Sequence, residues 1–267
     1  MKKIDLEELK TIELDMLKYL DKLCVENDIP YFICGGTLIG ALRHGGFIPW
    51  DDDIDVAIPR NYYAKLKATI ENEPSCYKLA FFDNSDSYGY SMPKLFDTRT
   101  KLVDYKLGSG KEEISVFIDV FLFDGLNDSK LKANIRFCVL RCIKRMVFLS
   151  RRSFKMESLL KTIFFAIPCL ICKIIGTKKL NYILNNLAAR IDFYSTDFVG
   201  NISGRYGMRE IIPREYIEDV IRVEFENTFV NAPIGYDKWL KAIYGNYLEL
   251  PPIDKRVSNH TSDEWWK

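Results

Sequence analysis

The chain has 267 residues, 48% of them hydrophobic and 28% charged, with a formal net charge of +1. That is too much apolar material for a disordered protein and enough for a sizeable core. The length favours one catalytic domain with a substantial insertion or appended helical part over two independent domains.

In chain order, residues 5–26 place Leu6, Leu9, Ile12, Met16, Leu20 and Leu23 at three- and four-residue intervals between acids and lysines, the pattern of an amphipathic helix. Asn27, Asp28 and Pro30 end it. Residues 31–34 read as a short strand, Gly35-Gly36 as a turn and 37–43 as a helix. After Gly45-Gly46 and Pro49, residues 53–58 read as a second strand and 62–70 as a helix. Further strands are expected at 77–82, 92–96, 101–105 and 116–123. This mixture predicts an α+β (mixed α/β) core.

From 129 to 191 the pattern turns helical and basic. Between 130 and 179 stand thirteen Lys and Arg against one acid, Glu157, a local balance of +12 that leaves the rest of the chain at −11. Clustered cations concentrate anionic partners. Phe148, Phe154, Phe164 and Phe165 accompany them, which suits peripheral attachment to an anionic membrane surface. The apolar stretch 162–175, interrupted by Pro168 and Lys173, is too short to span a bilayer. From 213 onward short helices and turns are expected. The resulting division is 1–128 catalytic core, 129–191 basic helical insertion, and 192–267 a largely helical C-terminal part that completes the site.

Seven cysteines, most in apolar stretches, and an N-terminus without an apolar signal region point to a reducing, cytoplasmic setting at the inner face of the cell membrane. Cys169-x-x-Cys172 sits in an apolar run and reads as core, not as a redox pair.

The chemistry concentrates on Asp51, Asp52, Asp53 and Asp55, like charges that a fold gains nothing from crowding unless a cation is present. Oxygen-seeking divalent ions, Mg2+ or Mn2+, remove that repulsion. Strand alternation would turn Asp53 and Asp55 to one face and Ile54 and Val56 to the other. Asp119 stands inside the apolar run 116–123, where a carboxylate needs a cation, a hydrogen-bond partner or a proton. Gly35, Gly36 and Thr37, between strand and helix, would cradle a phosphate. With an Asp-x-Asp strand downstream, they supply the two parts phosphoryl transfer requires. Arg43, Lys94 and Arg60 are candidate phosphate contacts. His44 and His260, the two histidines, and Asp52 join the candidate substrate set. Trp50 would stack on a base or a choline head, unless it is simply core.

Residues 36–55, GTLIGALRHGGFIPWDDDID, resemble the signature of the LicD family of phosphotransferases. So do Ile118-Asp119-Val120-Phe121-Leu122-Phe123-Asp124-Gly125 and the tail Tyr244-Gly245-Asn246-Tyr247-Leu248-Glu249-Leu250-Pro251-Pro252, followed by Lys255, Arg256 and His260. Departures are Leu122, where a proline is common, and Leu126-Asn127 after Asp124-Gly125. The resemblance implies a nucleotidyltransferase-like core that moves phosphocholine, or a similar phospho-alcohol, from a CDP-linked donor such as CDP-choline to a sugar of a cell-surface glycan. Teichoic acid, capsule and lipopolysaccharide are the acceptors it suggests, with no nucleic-acid partner. Carried over by residue, Asp53 and Asp55 would be metal ligands and Asp119 the third catalytic carboxylate. Two other readings stand beside it: nucleotidyl transfer with release of pyrophosphate, and a non-enzymatic basic membrane-binding module.

Overall fold

The computed structural model describes residues 2–83, 90, 92–104, 114–151, 159–257 and 262–267, with only the backbone of 104, 159–166 and 262. Helix α1 (Leu6–Glu26) begins where the Asp5 carboxylate accepts the Glu8 N–H at 2.9 Å and stops ahead of Asp28, whose φ is +48°. Leu9, Ile12, Met16, Leu20 and Leu23 of the expected stripe are buried, whereas Leu6 stays exposed. There follow β1 (Phe32–Ile33), α2 (Gly35–His44), β2 (Asp55–Pro59), α3 (Tyr63–Asn72), β3 (Tyr77–Ala80), β4 (Lys94–Asp97), β5 (Thr100–Asp104) and β6 (Phe117–Asn127).

Two boundaries differ from the sequence reading. The glycines do not form a separate turn: Gly35 opens α2, directly after Cys34 at its N-cap. Strand β2 begins at Asp55, so Asp53 lies in irregular backbone ahead of it, and strand alternation does not orient that side chain. Residue 105, the expected end of a strand, falls outside the described residues.

The basic stretch forms α4 (Lys130–Arg151), α5 (Leu159–Ile175, with Pro168 inside it) and α6 (Thr177–Ala188). Among the described residues no helix is long and apolar enough to cross a membrane. Several of its cations serve the fold itself. Arg136 donates to the Leu187 carbonyl at 2.6 Å, in the last turn of α6, where a cation meets orphan carbonyls and the negative end of the helix dipole. Lys130, Arg141 and Lys144 donate to the carbonyls of Ile211, Gly204 and Ser203. Burial lowers the Lys144 pKa to about 8. Cys169 and Cys172 are buried, and Cys172 packs with Val147 and Leu180, as the core reading required.

The last part is β7 (Phe198–Asn201), β8 (Ile211–Pro213), the hairpin of β9 (Val220–Phe225) and β10 (Thr228–Pro233), α7 (Tyr236–Tyr244) and β11 (Ser262–Trp266). It mixes these strands with α7 and several single-turn 3-10 helices, so the expectation of a helical C-terminal part holds only in part. Phe225 pairs with Thr228 across a two-residue turn in which Glu226 takes φ +55°, and β-branched and aromatic residues supply the pairing on either side.

Seven of the described strands form one mixed sheet. Its spine is β1-β2-β6-β4-β3, and β7 and then β8 continue from the second half of β6. Strands β2 and β6 run parallel, whereas the other pairs are antiparallel. The main core includes Leu20, Phe32, Val56, Ile118, Val120 and Phe123. Trp239 of α7 meets Phe32 and Phe123 edge-on at 5.9 and 5.7 Å, which seats the C-terminal helix on the centre of the sheet. A second cluster joins Leu126 of β6 to Phe137 of α4 and Leu184 of α6.

Arg60, a candidate phosphate contact by sequence, is instead a structural tie. It grips the fully buried Asp124 of β6 in a bidentate pair, one bond of which is 3.0 Å, and donates to Asn185 Oδ1 of α6 at 2.6 Å. Because removing one partner leaves a buried charge, Arg60→Ala should cost about 3–5 kcal/mol in urea denaturation. A loss below about 1 kcal/mol, the range of an exposed pair, would contradict this assignment.

Candidate active site

Parallel pairing of β2 with β6 sets Asp55 opposite Asp119, followed by Val56 opposite Val120 and Ile58 opposite Leu122. On the other side of β6, β4 sets Lys94 opposite Asp119. The row across three strands is therefore Asp55, Asp119, Lys94. The Lys94 ammonium is ion-paired with Asp119, the two side chains being 4% and 15% exposed. The Lys94 ammonium lies over the rings of Phe117 and Tyr90, 3.4 and 4.8 Å from their centroids. Lys94, expected to meet substrate phosphate, is thus already engaged by an acid of the site.

Helix α2 packs its first turn on the same carboxylates. Thr37 Oγ1 accepts the Asp55 N–H at 2.8 Å, and Cys34 N–H donates to the Asp55 carbonyl at 3.0 Å. Gly35 has φ +57°, and a Cβ there would sit 2.4 Å from Asp55 Oδ2. At Gly36 a Cβ would sit 2.4 Å from Asp51 Oδ2. Space freed by the two glycines is filled here by carboxylate oxygens. Burial first, then the charges of Asp53, Asp119 and Asp51, hold the Asp55 carboxyl well above the usual carboxylate range, with Lys94 working the other way.

Asp52, half-buried, contributes to the same negative field, which reaches Glu13 on α1. Glu13 is 3% exposed, and its Oε2 has no hydrogen-bond partner among the described residues. Burial and then the charges of Asp53, Asp52 and Asp51 push its carboxyl well above the ordinary range. It was missed in the sequence, although an acid one turn from Leu9 and Leu17, inside the apolar stripe, is a readable signal. Tyr244, at the end of α7, is a second omission. Its hydroxyl pKa is raised by burial and then by Tyr206 and Asp55, which places it within the field of the site.

Around the rim, Arg43 donates to the carbonyls of Tyr247 and Glu249, at 3.0 and 3.2 Å, and so fastens the C-terminal tail to α2. Trp50 meets the His44 ring edge-on at 6.2 Å and carries the Arg256 guanidinium at 5.5 Å from its centroid. His260 lies outside the described residues.

Asp53, Asp55 and Asp119 offer oxygen ligands alone, the donor set of a hard divalent cation, and the negative charge that burdens Asp55 is what such an ion would offset. In this arrangement the residues fit Mg2+ in chemistry. They are not drawn together as a finished cage: among the described residues no three His, Cys, Asp or Glu side chains are grouped so as to hold a metal ion.

Comparison with known proteins agrees with the motifs. The family described as LicD/FKTN/FKRP, nucleotidyltransferase domain, matches residues 28–158. The lipopolysaccharide cholinephosphotransferase LicD of Haemophilus influenzae is 30% identical over 279 aligned residues, covering 99% of this chain and 99% of that one. The chain belongs to the LicD family. An uncharacterized protein of Rickettsia typhi is 42% identical over 59 residues, or 22% of this chain and 19% of its own. Another from Rickettsia prowazekii is also 42% identical over 59 residues, 22% of each chain. The LicD domain match takes in Asp53, Asp55, Lys94 and Asp119 but ends before Tyr244 and Arg256, which the Haemophilus relative spans.

A pair of glycine variants isolates the contact between α2 and Asp55. Gly35 and Gly45 both hold positive φ, but a Cβ at Gly45 meets nothing within 4 Å. Gly45→Ala should cost about 1–2 kcal/mol from the left-handed backbone alone, and Gly35→Ala measurably more, with loss of activity. Equal costs for the two in denaturant titrations would show that the carboxylate contact is not tight.

Proposed function

We propose that this chain is a metal-dependent phosphotransferase with a nucleotidyltransferase-like core, moving phosphocholine or a similar phospho-alcohol from a CDP-linked donor to a sugar of a cell-surface glycan. The observation that carries the reading is the register of β2 on β6, which makes neighbours of two acids 64 positions apart, Asp55 and Asp119. Kinship over nearly the full chain with a protein named as a lipopolysaccharide cholinephosphotransferase supports phosphocholine as the group moved and a lipopolysaccharide sugar as the acceptor class.

In this mechanism an acceptor hydroxyl attacks the phosphorus that bears the alcohol, a new P–O bond forms, and the bond to CMP breaks with CMP as leaving group. Asp53, Asp55 and Asp119 would hold a divalent ion, Mg2+ or Mn2+, whose chemistry is to neutralise charge on the diphosphate. Thr37 and the first turn of α2 fix the Asp55 backbone, so its carboxylate meets the substrate preorganised. Lys94 orients Asp119 through their ion pair. The proton leaving the acceptor hydroxyl passes to a carboxylate of this group.

Incubation with a panel of CDP-alcohols and Mg2+ should release CMP, and chelation should stop it. Asp53→Ala should reduce release to background while leaving the circular dichroism spectrum unchanged. Pyrophosphate in place of CMP would assign nucleotidyl transfer instead, and full activity in Asp53→Ala or under chelation would sink the metal mechanism.

The same proposal places the protein peripherally at the inner face of the membrane. Leu131, Ile135, Val139 and Phe148 are exposed on α4, and Ile167, Leu170, Ile171 and Ile174 on α5. Such apolar side chains among cations suit an anionic lipid surface. Phe154, Phe164 and Phe165, counted toward this surface from the sequence, have no described side chains. Sedimentation with phosphatidylglycerol vesicles at low salt should carry the protein down, and Ile135→Glu with Ile171→Glu should release it. A protein that stays in the supernatant at low salt has no such affinity.

A further inference from the structure

Two arginines gather at Trp50 and His44: Arg256 lies over the Trp50 ring, and Arg43 donates to His44, which meets that ring edge-on. Arg43, in the last turn of α2, is held by the Tyr247 and Glu249 carbonyls. Arg256, in the tail, donates from Nε to the Pro251 carbonyl at 2.8 Å and lays its guanidinium over Trp50. His44 closes the other side of Trp50, and its Nδ1 accepts from Arg43 Nε at 3.4 Å. The protein thus clasps its N-terminal signature to its tail, and the clasp joins charges of the same sign. Neither guanidinium pairs with a carboxylate among the described residues.

That closeness has a cost. Burial and then the charge of Arg256 lower the Arg43 pKa, and burial and then Arg43 lower that of His44. Folding gains nothing from holding two partly buried guanidiniums together unless an anion sits between them. Each has donors to offer: of the five N–H groups on a guanidinium, Arg256 commits one to the described protein, through Nε. Planar forks of this kind match the oxygens of a phosphoryl group two at a time. Trp50 directly precedes Asp51, whose carboxylate rests on Gly36, so the cationic clasp adjoins the acidic run.

We propose that Arg43 and Arg256, framed by Trp50 and His44, form a seat for a phosphoryl group beside the acidic site, with Arg256 the residue that completes it. The inference rests on the phosphotransfer reading only for the source of that group, either the nucleotide of the donor or a phosphorylated acceptor.

The test is metal-free binding to the full chain. With EDTA present, calorimetric titrations with CMP and with glucose 6-phosphate are compared for the native protein, Arg256→Ala, Arg256→Lys and Asp53→Asn. The native chain should bind at least one of them. Arg256→Ala should weaken that binding by about tenfold or more, the worth of hydrogen bonds to a charged group, and Arg256→Lys should restore it in part. Asp53→Asn should bind as well as the native chain or more tightly, since a neighbouring negative charge is gone. Preference for CMP assigns the seat to the donor, and preference for the sugar phosphate assigns it to the acceptor. No binding of either by the native chain, or equal binding by native and Arg256→Ala proteins, overturns the seat. Neither result depends on turnover. Phosphate binding by a chain that releases no CMP from any CDP-alcohol would overturn the proposed reaction and leave the seat standing.

Discussion

The site depends on the register in which β2 lies along β6. Slipping a strand by one residue turns every side chain to the opposite face. Here that slip would move Val56 and Ile58 to the face that Ala57 now holds, which is packed for a smaller side chain, and carry Asp55 away from Asp119. The apolar pairs beyond the acids therefore fix where the acids meet. Strand β4 then adds Lys94 to the same row, so the central carboxylate has an acid on one side and an ammonium on the other. Hydrophobic packing holds together a line of charges that would not assemble in water by itself.

Two fields of opposite sign result. The acidic run leaves Asp55 and Glu13 surrounded by like charge, and the clasp of Arg43 with Arg256 does the same in the opposite sense. Direct pairing of the two would neutralise both. Helix α2 prevents it by holding Asp55 and Asp51 against its first turn and Arg43 in its last. On the proposed reading, a ligand that brings both a divalent ion and phosphate oxygens is the complement of this arrangement.

Much of this was legible in the residues, and the remainder was not, for physical reasons. The aspartates, Asp119 in its apolar run and the glycines before α2 all announced themselves, because charge or missing side chains in such settings need a cause. The stripe of α1 and the order of the first strands followed from periodicity. The ion pair of Lys94 with Asp119 was not readable, since it arises from the adjacency of β4 and β6, which no local pattern encodes. For the same reason Arg60 looked like a substrate contact until β6 and α6 supplied Asp124 and Asn185 as its partners. Net charge over 130–179 overstated the free cations, because Arg136, Arg141 and Lys144 are bound to main-chain carbonyls at the ends of neighbouring segments. The β9–β10 hairpin was overlooked where short segments with few glycines read as helix as readily as strand.

Strand β6 spans Phe117–Asn127, with Asp119 near its beginning and Leu126 near its end. At about 3.3 Å per residue those two positions lie roughly 23 Å apart along one strand, whose pairing with β7 shifts register between Gly125 and Asn127. One end bears Asp119, and the other is embedded among α4 and α6. Paring the helices away would open Leu126 and the guanidinium-bound Asp124 to solvent and leave that end of the strand unanchored.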